Sequence, residues 1–182
     1  MKRYLPWIIT VALLGAAWMV AFAAPKDDMT LTPFTVTTQM DEEVVARDFA
    51  LTVHDIRAAR TATAPNDWRA EGTWLLVDLE AEATLTQEGT LLNGATLTIG
   101  ERTIRASERM PSMMEHRLVP GIPYRGTLAF ELPDGALTGT GILRLSTNDD
   151  TRGDSVAEMR IDLDSLNIED VAAIHDTEWG RG

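Results

Sequence analysis

Residues 73–84, TWLLVDLEAEAT, decide how this chain is read. Leu75, Val77, Leu79 and Ala81 alternate with Leu76, Asp78, Glu80 and Glu82. Neighbouring side chains of a strand point to opposite faces, so the spacing predicts a strand with one buried face and one wet face. Trp74 opens the outward-facing set and is expected over a sheet edge.

The same period of two recurs on both sides. Phe49, Leu51 and Val53 share a face, and the phase then shifts to Ile56, which predicts a β-bulge. Ala95, Leu97 and Ile99 run into Gly100-Glu101, followed by Ile104 and Ala106, a tight hairpin. Leu128, Phe130 and Leu132 form another set, then Leu143 and Leu145. Ala157, Met159, Ile161 and Leu163 alternate with Glu158, Arg160 and Asp162. Turn-forming clusters separate the runs: Ala64-Pro65-Asn66-Asp67, Pro120-Gly121, Pro133-Asp134-Gly135 and Asn148-Asp149-Asp150. Short alternating strands joined by such turns predict an all-β chain, an antiparallel sandwich or barrel.

The N-terminus follows different physics. Tyr4 to Ala24 is a run of 21 residues with no ionisable group except the Tyr4 phenol, and it follows Lys2 and Arg3. As a helix this run spans roughly 31 Å, against about 30 Å for a bilayer core. Trp7 and Trp18 lie toward its two ends, where amphipathic rings favour the headgroup level. The basic flank keeps the N-terminus in the cytoplasm and sends the remainder outside. The alternative is a signal peptide cut after Ala21-Phe22-Ala23, although signal cores usually run to about 7–15 residues. Residues 1–25 are thus an anchor or uncleaved signal, and 26–42 a linker with a short strand near Phe34–Thr37. Residues 43–164 form the sandwich, and 165–182 an acidic, polar C-terminal tail.

Composition narrows the function classes. The 182-residue chain has no cysteine, so disulfides, thiolate metal sites and lipidated cysteine are excluded. The net charge is -12, a surface that repels nucleic acid and anionic lipid heads. About 155 residues beyond the apolar run are enough for one packed core.

Three stretches carry a resemblance: VVARDFALTVHDIR, TWLLVDLEAEAT, and LVPGIPYRGTLAFELPDGA leading into ILRLS. The pattern is similar to small extracytoplasmic immunoglobulin-like domains of Gram-positive bacteria, the group that includes the mycobacterial secreted immunogenic immunoglobulin-like protein. The matching positions are Asp78, Pro120, Gly121, Gly126, Phe130 and Pro133. The family often has Asn just after the Asp-bearing strand, whereas this chain has Ala83-Thr84. The resemblance implies an immunoglobulin-like β-sandwich, tethered or secreted, without an agreed activity.

Residues that could carry chemistry are sparse. His54, His116 and His175 fall in no ligand spacing, and G-x-S-x-G, phosphate-loop and H-E-x-x-H patterns are missing. No enzyme, cofactor or metal site is expected. Within residues 110–116, Met110, Met113, Met114 and His116 offer thioether and imidazole groups that suit Cu(I). A copper chaperone is therefore the alternative function; otherwise the loop folds flexible methionines over a sheet edge. Asn148 to Asp154 lacks the twelve-residue calcium-loop pattern and reads as a polar hairpin loop, and its Arg152-Gly153-Asp154 tripeptide as chance. Trp68 is expected on its own loop base, and Trp179 lies near the end of the tail. The expected protein is a single-pass membrane protein with an extracytoplasmic binding or accessory sandwich, presenting loops or sheet edges to another envelope protein.

Overall fold

The computed structural model describes residues 5–23, 33–65, 67–84, 90–114, 116–148, 151 and 154–180. Expectations placed on Lys2, Arg3, Tyr4, residues 24–32, Asn66, Glu115, Asp149, Asp150, Arg152, Gly153, Arg181 and Gly182 lie outside the described residues. The chain divides into two compact units, Met1–Thr32 and Pro33–Gly182.

The first unit holds helix α1, Leu5–Ala23, with sequence LPWIITVALLGAAWMVAFA. Leu13, Val20 and Phe22 are exposed, and Trp18 stacks on Phe22 with ring centroids 5.6 Å apart. At about 1.5 Å per residue the helix is roughly 28 Å long, slightly short of a bilayer core. Among the described residues, no helix is long and apolar enough to cross a membrane. The N-terminal run is therefore seen as a helix, and a membrane span is not shown.

The second unit is a β-sandwich. One sheet has the order β1 (Phe34–Thr38), β11 (Ser155–Asp162), β10 (Thr140–Ser146), β6 (Gly94–Ile99), β7 (Arg102–Arg105). β1 pairs with β11 in parallel and the other pairs are antiparallel. The facing sheet runs β12 (Ile168–Glu169), β3 (Phe49–Ala64), β4 (Trp68–Ala83), β9 (Tyr124–Leu132), β14 (Glu178–Trp179). Two short strands, β2 (Val44–Val45) and β13 (Ala172–Ala173), also pair with β3, making seven strands in that sheet. A separate pair joins β5 (Thr90–Leu91) to β8 (Arg117–Leu118).

The alternation seen in the sequence sets the core. Leu51 and Val53 of β3, Leu75, Val77 and Leu79 of β4, and Phe130 of β9 meet Leu97, Leu143, Leu145 and Ile161 of the other sheet. The bulge expected before Ile56 appears as a register shift between Val53 and Asp55. The turns also follow their residues. Gly121 has φ 72° after Pro120, with Ile122 N–H donating to Val119 O at 3.2 Å. Gly135 has φ 74° and Ala136 N–H reaches Pro133 O at 3.1 Å. In the first turn proline and then glycine hold the two central positions, as a type II turn favours; in the second Asp134 and Gly135 do, with the positive φ again on glycine. At the Ala83-Thr84 strand end, Thr84 donates its N–H to Asp48 O and its hydroxyl to Arg47 O, both at 3.0 Å, so threonine makes the capping contacts there.

Two expectations differ from the structure. Trp74 and Leu76, read as outward-facing, are fully buried. They belong to a second apolar cluster on the far side of β4, with Ala59, Ala62, Ala129, Met110, Ala172 and Ile174. The polar tail explains this burial. Ala172–Ala173 pairs with Ala62–Thr63 on one side of the seven-stranded sheet, and Glu178–Trp179 pairs with Tyr124–Arg125 on the other. The chain between them passes over the outer face.

Candidate functional site

The outer face of the seven-stranded sheet carries the densest arrangement of functional groups among the described residues. Its apolar part is built by register. Ala59 lies opposite Trp74 on β3, and Ala129 opposite Leu76 on β9. Small neighbours leave room for the two large side chains. Trp68 stands edge-on to Trp74, and Met110, Ala172 and Ile174 close over the cluster. Arg109 binds Glu131 of β9 at 2.8 Å, which fixes the loop beside Met110.

A polar belt lies next along the sheet. Arg57 donates from Nε to Asp78 Oδ2 at 2.9 Å and from Nη2 to Asp78 Oδ1 at 3.0 Å. Thr127 donates its hydroxyl to the same carboxylate. Both groups also hold the crossing segment. Arg57 Nη2 donates to Ala173 O at 2.9 Å, and Thr127 Oγ1 accepts from His175 N–H at 3.0 Å. A hydroxyl has one proton and two lone pairs, so Thr127 fills both roles at once. The Arg57 and Asp78 side chains are 17% and 19% exposed, dry enough for this fork to hold its geometry.

Beyond the belt is a cleft of about 280 Å³, lined by His54, Asp78, Arg125, His175, Asp176 and Glu178 among others. His54 Nδ1 bonds Asp41 Oδ1 at 3.0 Å, and a carboxylate only accepts, so Nδ1 carries the proton. His54 Nε2 is enclosed and has no hydrogen-bond partner among the described residues. Asp41 adopts φ 58°, an uncommon backbone for a residue other than glycine. Glu80 pairs with Arg125 at the cleft margin. Gly180 passes so close to Glu80 that a Cβ would lie 2.4 Å from its Oε2. No group of three or more His, Asp and Glu among the described residues can hold a metal ion. A larger cleft of about 490 Å³ opens between the sheets, where Met40, Ile56, Met159 and Leu166 meet Thr38 and Gln39.

The methionine loop divides between the two apolar clusters. Met113 and Met114 pack in the inter-sheet core and Met110 in the outer one. His116 lies against Tyr124 with ring centroids 4.6 Å apart, and burial lowers its pKa from the usual histidine value. Tyr124 in turn meets Trp179 edge-on at 6.4 Å, and Trp179 is 71% exposed. Asp154, in the 148–154 loop, serves the fold: its O accepts Phe34 N–H at 2.9 Å and its Oδ1 accepts Ser155 N–H at 2.8 Å.

Sequence reasoning brought neither His54 and His175 to one cleft nor Arg57 and Thr127 to one carboxylate. One signal was present. Trp74 and Leu76 interrupt an otherwise polar outward set, and Ala172 and Ile174 alternate in the tail with the spacing needed to cover them.

No family model and no curated protein matches the chain. Solved structures do. An uncharacterized β-sandwich protein of Clostridium difficile 630 aligns with TM-score 0.52 and 11% identity, over 75% of this chain and 99% of that one. The Bacillus subtilis protein ycdA, described as a candidate lipoprotein, aligns with TM-score 0.49 and 14% identity over 70% of this chain and 40% of its own. The Bacillus subtilis yjhA protein gives TM-score 0.45 and 16% identity, over 66% and 98%. At 11% identity the likeness to the Clostridium difficile protein is one of fold alone, a β-sandwich.

Proposed function

We propose that the chain is a single-pass membrane protein whose extracytoplasmic immunoglobulin-like sandwich is a non-enzymatic binding or accessory module for another envelope protein. The anchor reading is supported by the run Tyr4–Ala24, which has no ionisable group except the Tyr4 phenol, behind Lys2 and Arg3. A helix apolar on all sides is unfavourable in water and suits a membrane. The immunoglobulin-like reading is supported by strand order. β3, β4 and β9 are neighbours in one sheet as A, B and E are, and β6, β10 and β11 in the other as C, F and G are.

The observation that carries the binding role is the outer face of the seven-stranded sheet. An extended segment already lies across it, held largely through main-chain atoms. A surface that accepts one extended segment by its backbone has the chemistry to accept another.

The test has two parts. Carbonate-washed membranes should retain the full chain with an intact N-terminus, and protease added to cells stripped of their wall should remove the sandwich. A protein found in the cytosol with its first residues intact would overturn the reading. Crosslinking in membranes, followed by pull-down, should recover an envelope protein.

A further inference from the structure

We infer that residues 171–180 form a displaceable strap occupying the docking surface for an extended segment of a partner chain. That segment would carry a small and then a branched apolar side chain at alternate positions. The inference rests on the reading of the sandwich as a binding module, and it names the surface.

The strap contributes little apolar burial of its own. Ala172 and Ile174 are buried, while Val171, Ala173, His175, Asp176 and Glu178 are exposed. Two side chains must offset the ordering of roughly ten residues, which places the strap among the locally opening parts of a fold. The strands β3, β4 and β9 beneath it are also packed into the inter-sheet core and do not share that weakness.

Its hold on the sheet is mostly independent of side-chain identity. Ile174 N–H donates to Thr63 O at 2.7 Å, Gly180 N–H to Pro123 O at 2.7 Å, and His175 N–H to Thr127 Oγ1. Ala173 O accepts from Arg57. Among the described residues Asp78 does not bond the strap directly, yet it orients both Arg57 and Thr127, so it acts as a positioning residue for whatever lies there. Specificity resides in the hollow over Trp74, Leu76 and Ala129 that receives Ala172 and Ile174. Such a division, with main chain for affinity and alternate side chains for selection, is that of strand addition. The strap therefore competes in cis with an incoming segment, whose apparent affinity falls with the fraction of closed strap.

The experiment uses the full chain and a fluorescent peptide of residues 170–180. Ile174→Asp should release the strap while leaving the sheet face unaltered, seen as amide exchange at 172–180 at least tenfold faster with the β4 amides still protected. That variant should bind the peptide saturably and at least tenfold more tightly than the wild type does. A peptide carrying the same Ile174→Asp change should not bind. Adding Asp78→Asn to the released protein should weaken peptide binding at least tenfold. Should Ile174→Asp fail to fold, a protease site placed between Leu166 and Asn167 and cut after folding gives the same readout by exchange of the nicked strap. Peptide binding equal in wild type and released protein, no binding to the released face, or strap amides exchanging only with the core would each overturn the inference. A pull-down without a partner would count against the binding role and leave the strap result standing. A recovered partner with a failed peptide would place docking elsewhere.

Discussion

Trp68 meets Trp74 edge-on, with ring centroids 5.8 Å apart and planes at 85°. The pair closes the β3–β4 hairpin end of the outer apolar cluster. Trp74 is fully buried, and its Nε1 has no hydrogen-bond partner among the described residues. Trp74→Ala should cost about 3–5 kcal/mol, the range for deleting a buried aromatic ring. Trp74→Phe should cost less, because it removes a buried donor that is left unmatched at roughly 1–3 kcal/mol. Urea denaturation of the three proteins checks the order. Trp68→Ala should abolish the near-ultraviolet dichroism of the pair with a smaller loss of stability.

Met113 is fully buried in the inter-sheet core, and Met110 lies in the other cluster. Met113→Ala should destabilise by about 2–5 kcal/mol, as other deletions of buried core groups do. The folded chain should also leave Cu(I) with a competing chelator in titration. Stoichiometric capture of Cu(I) by the folded protein, lost on Met110→Ala, would favour the copper reading instead.

Burial of His116 should give the fold a pH dependence. Burial lowers its pKa below the usual histidine value of about 6.5. The folded state therefore binds a proton less readily than the unfolded chain, and stability rises with pH in this window. Its contribution should be unchanged above about pH 6.5 and should decline as pH falls below it, levelling off once the folded ring is also protonated. Urea midpoints across this range should slope less for His116→Gln than for wild type. Equal slopes would show that His116 is not responsible.

Gly126 lies where β9, the methionine loop and the strap converge. A Cβ there would sit 2.9 Å from Thr177 Oγ1, 3.1 Å from Met113 Sδ and 3.4 Å from Thr177 Cα. Gly126→Ala should cost about 1–3 kcal/mol by overpacking. Amide exchange should show the change at residues 175–180 before the core strands. Unaltered exchange in that segment would mean that the methionine alone makes room.

Much of the sandwich was legible in local pattern. Leu75, Val77, Leu79 and Ala81 announce a strand because strand side chains alternate, and the phase slip at Ile56 announces a bulge for the same reason. Pro120-Gly121 and Pro133-Asp134-Gly135 announce turns because proline and glycine restrict or free the backbone locally. The outer face was not legible in this way. Leu76 and Trp74 look wet by phase and are dry because residues about a hundred positions later return to cover them. Arg57, Asp78 and Thr127 are unremarkable charged or polar strand residues until antiparallel pairing sets three strands side by side.

By itself the sequence determined the strands, the turns, the acidic surface and the apolar N-terminal helix, since each depends on neighbours within a few residues. Only the tertiary structure decided which carboxylate holds which partners, that two histidines share a cleft, and that the tail is a strap. Those contacts join residues far apart in the chain, and their energy depends on burial that exists only once both sheets and the crossing segment are in place.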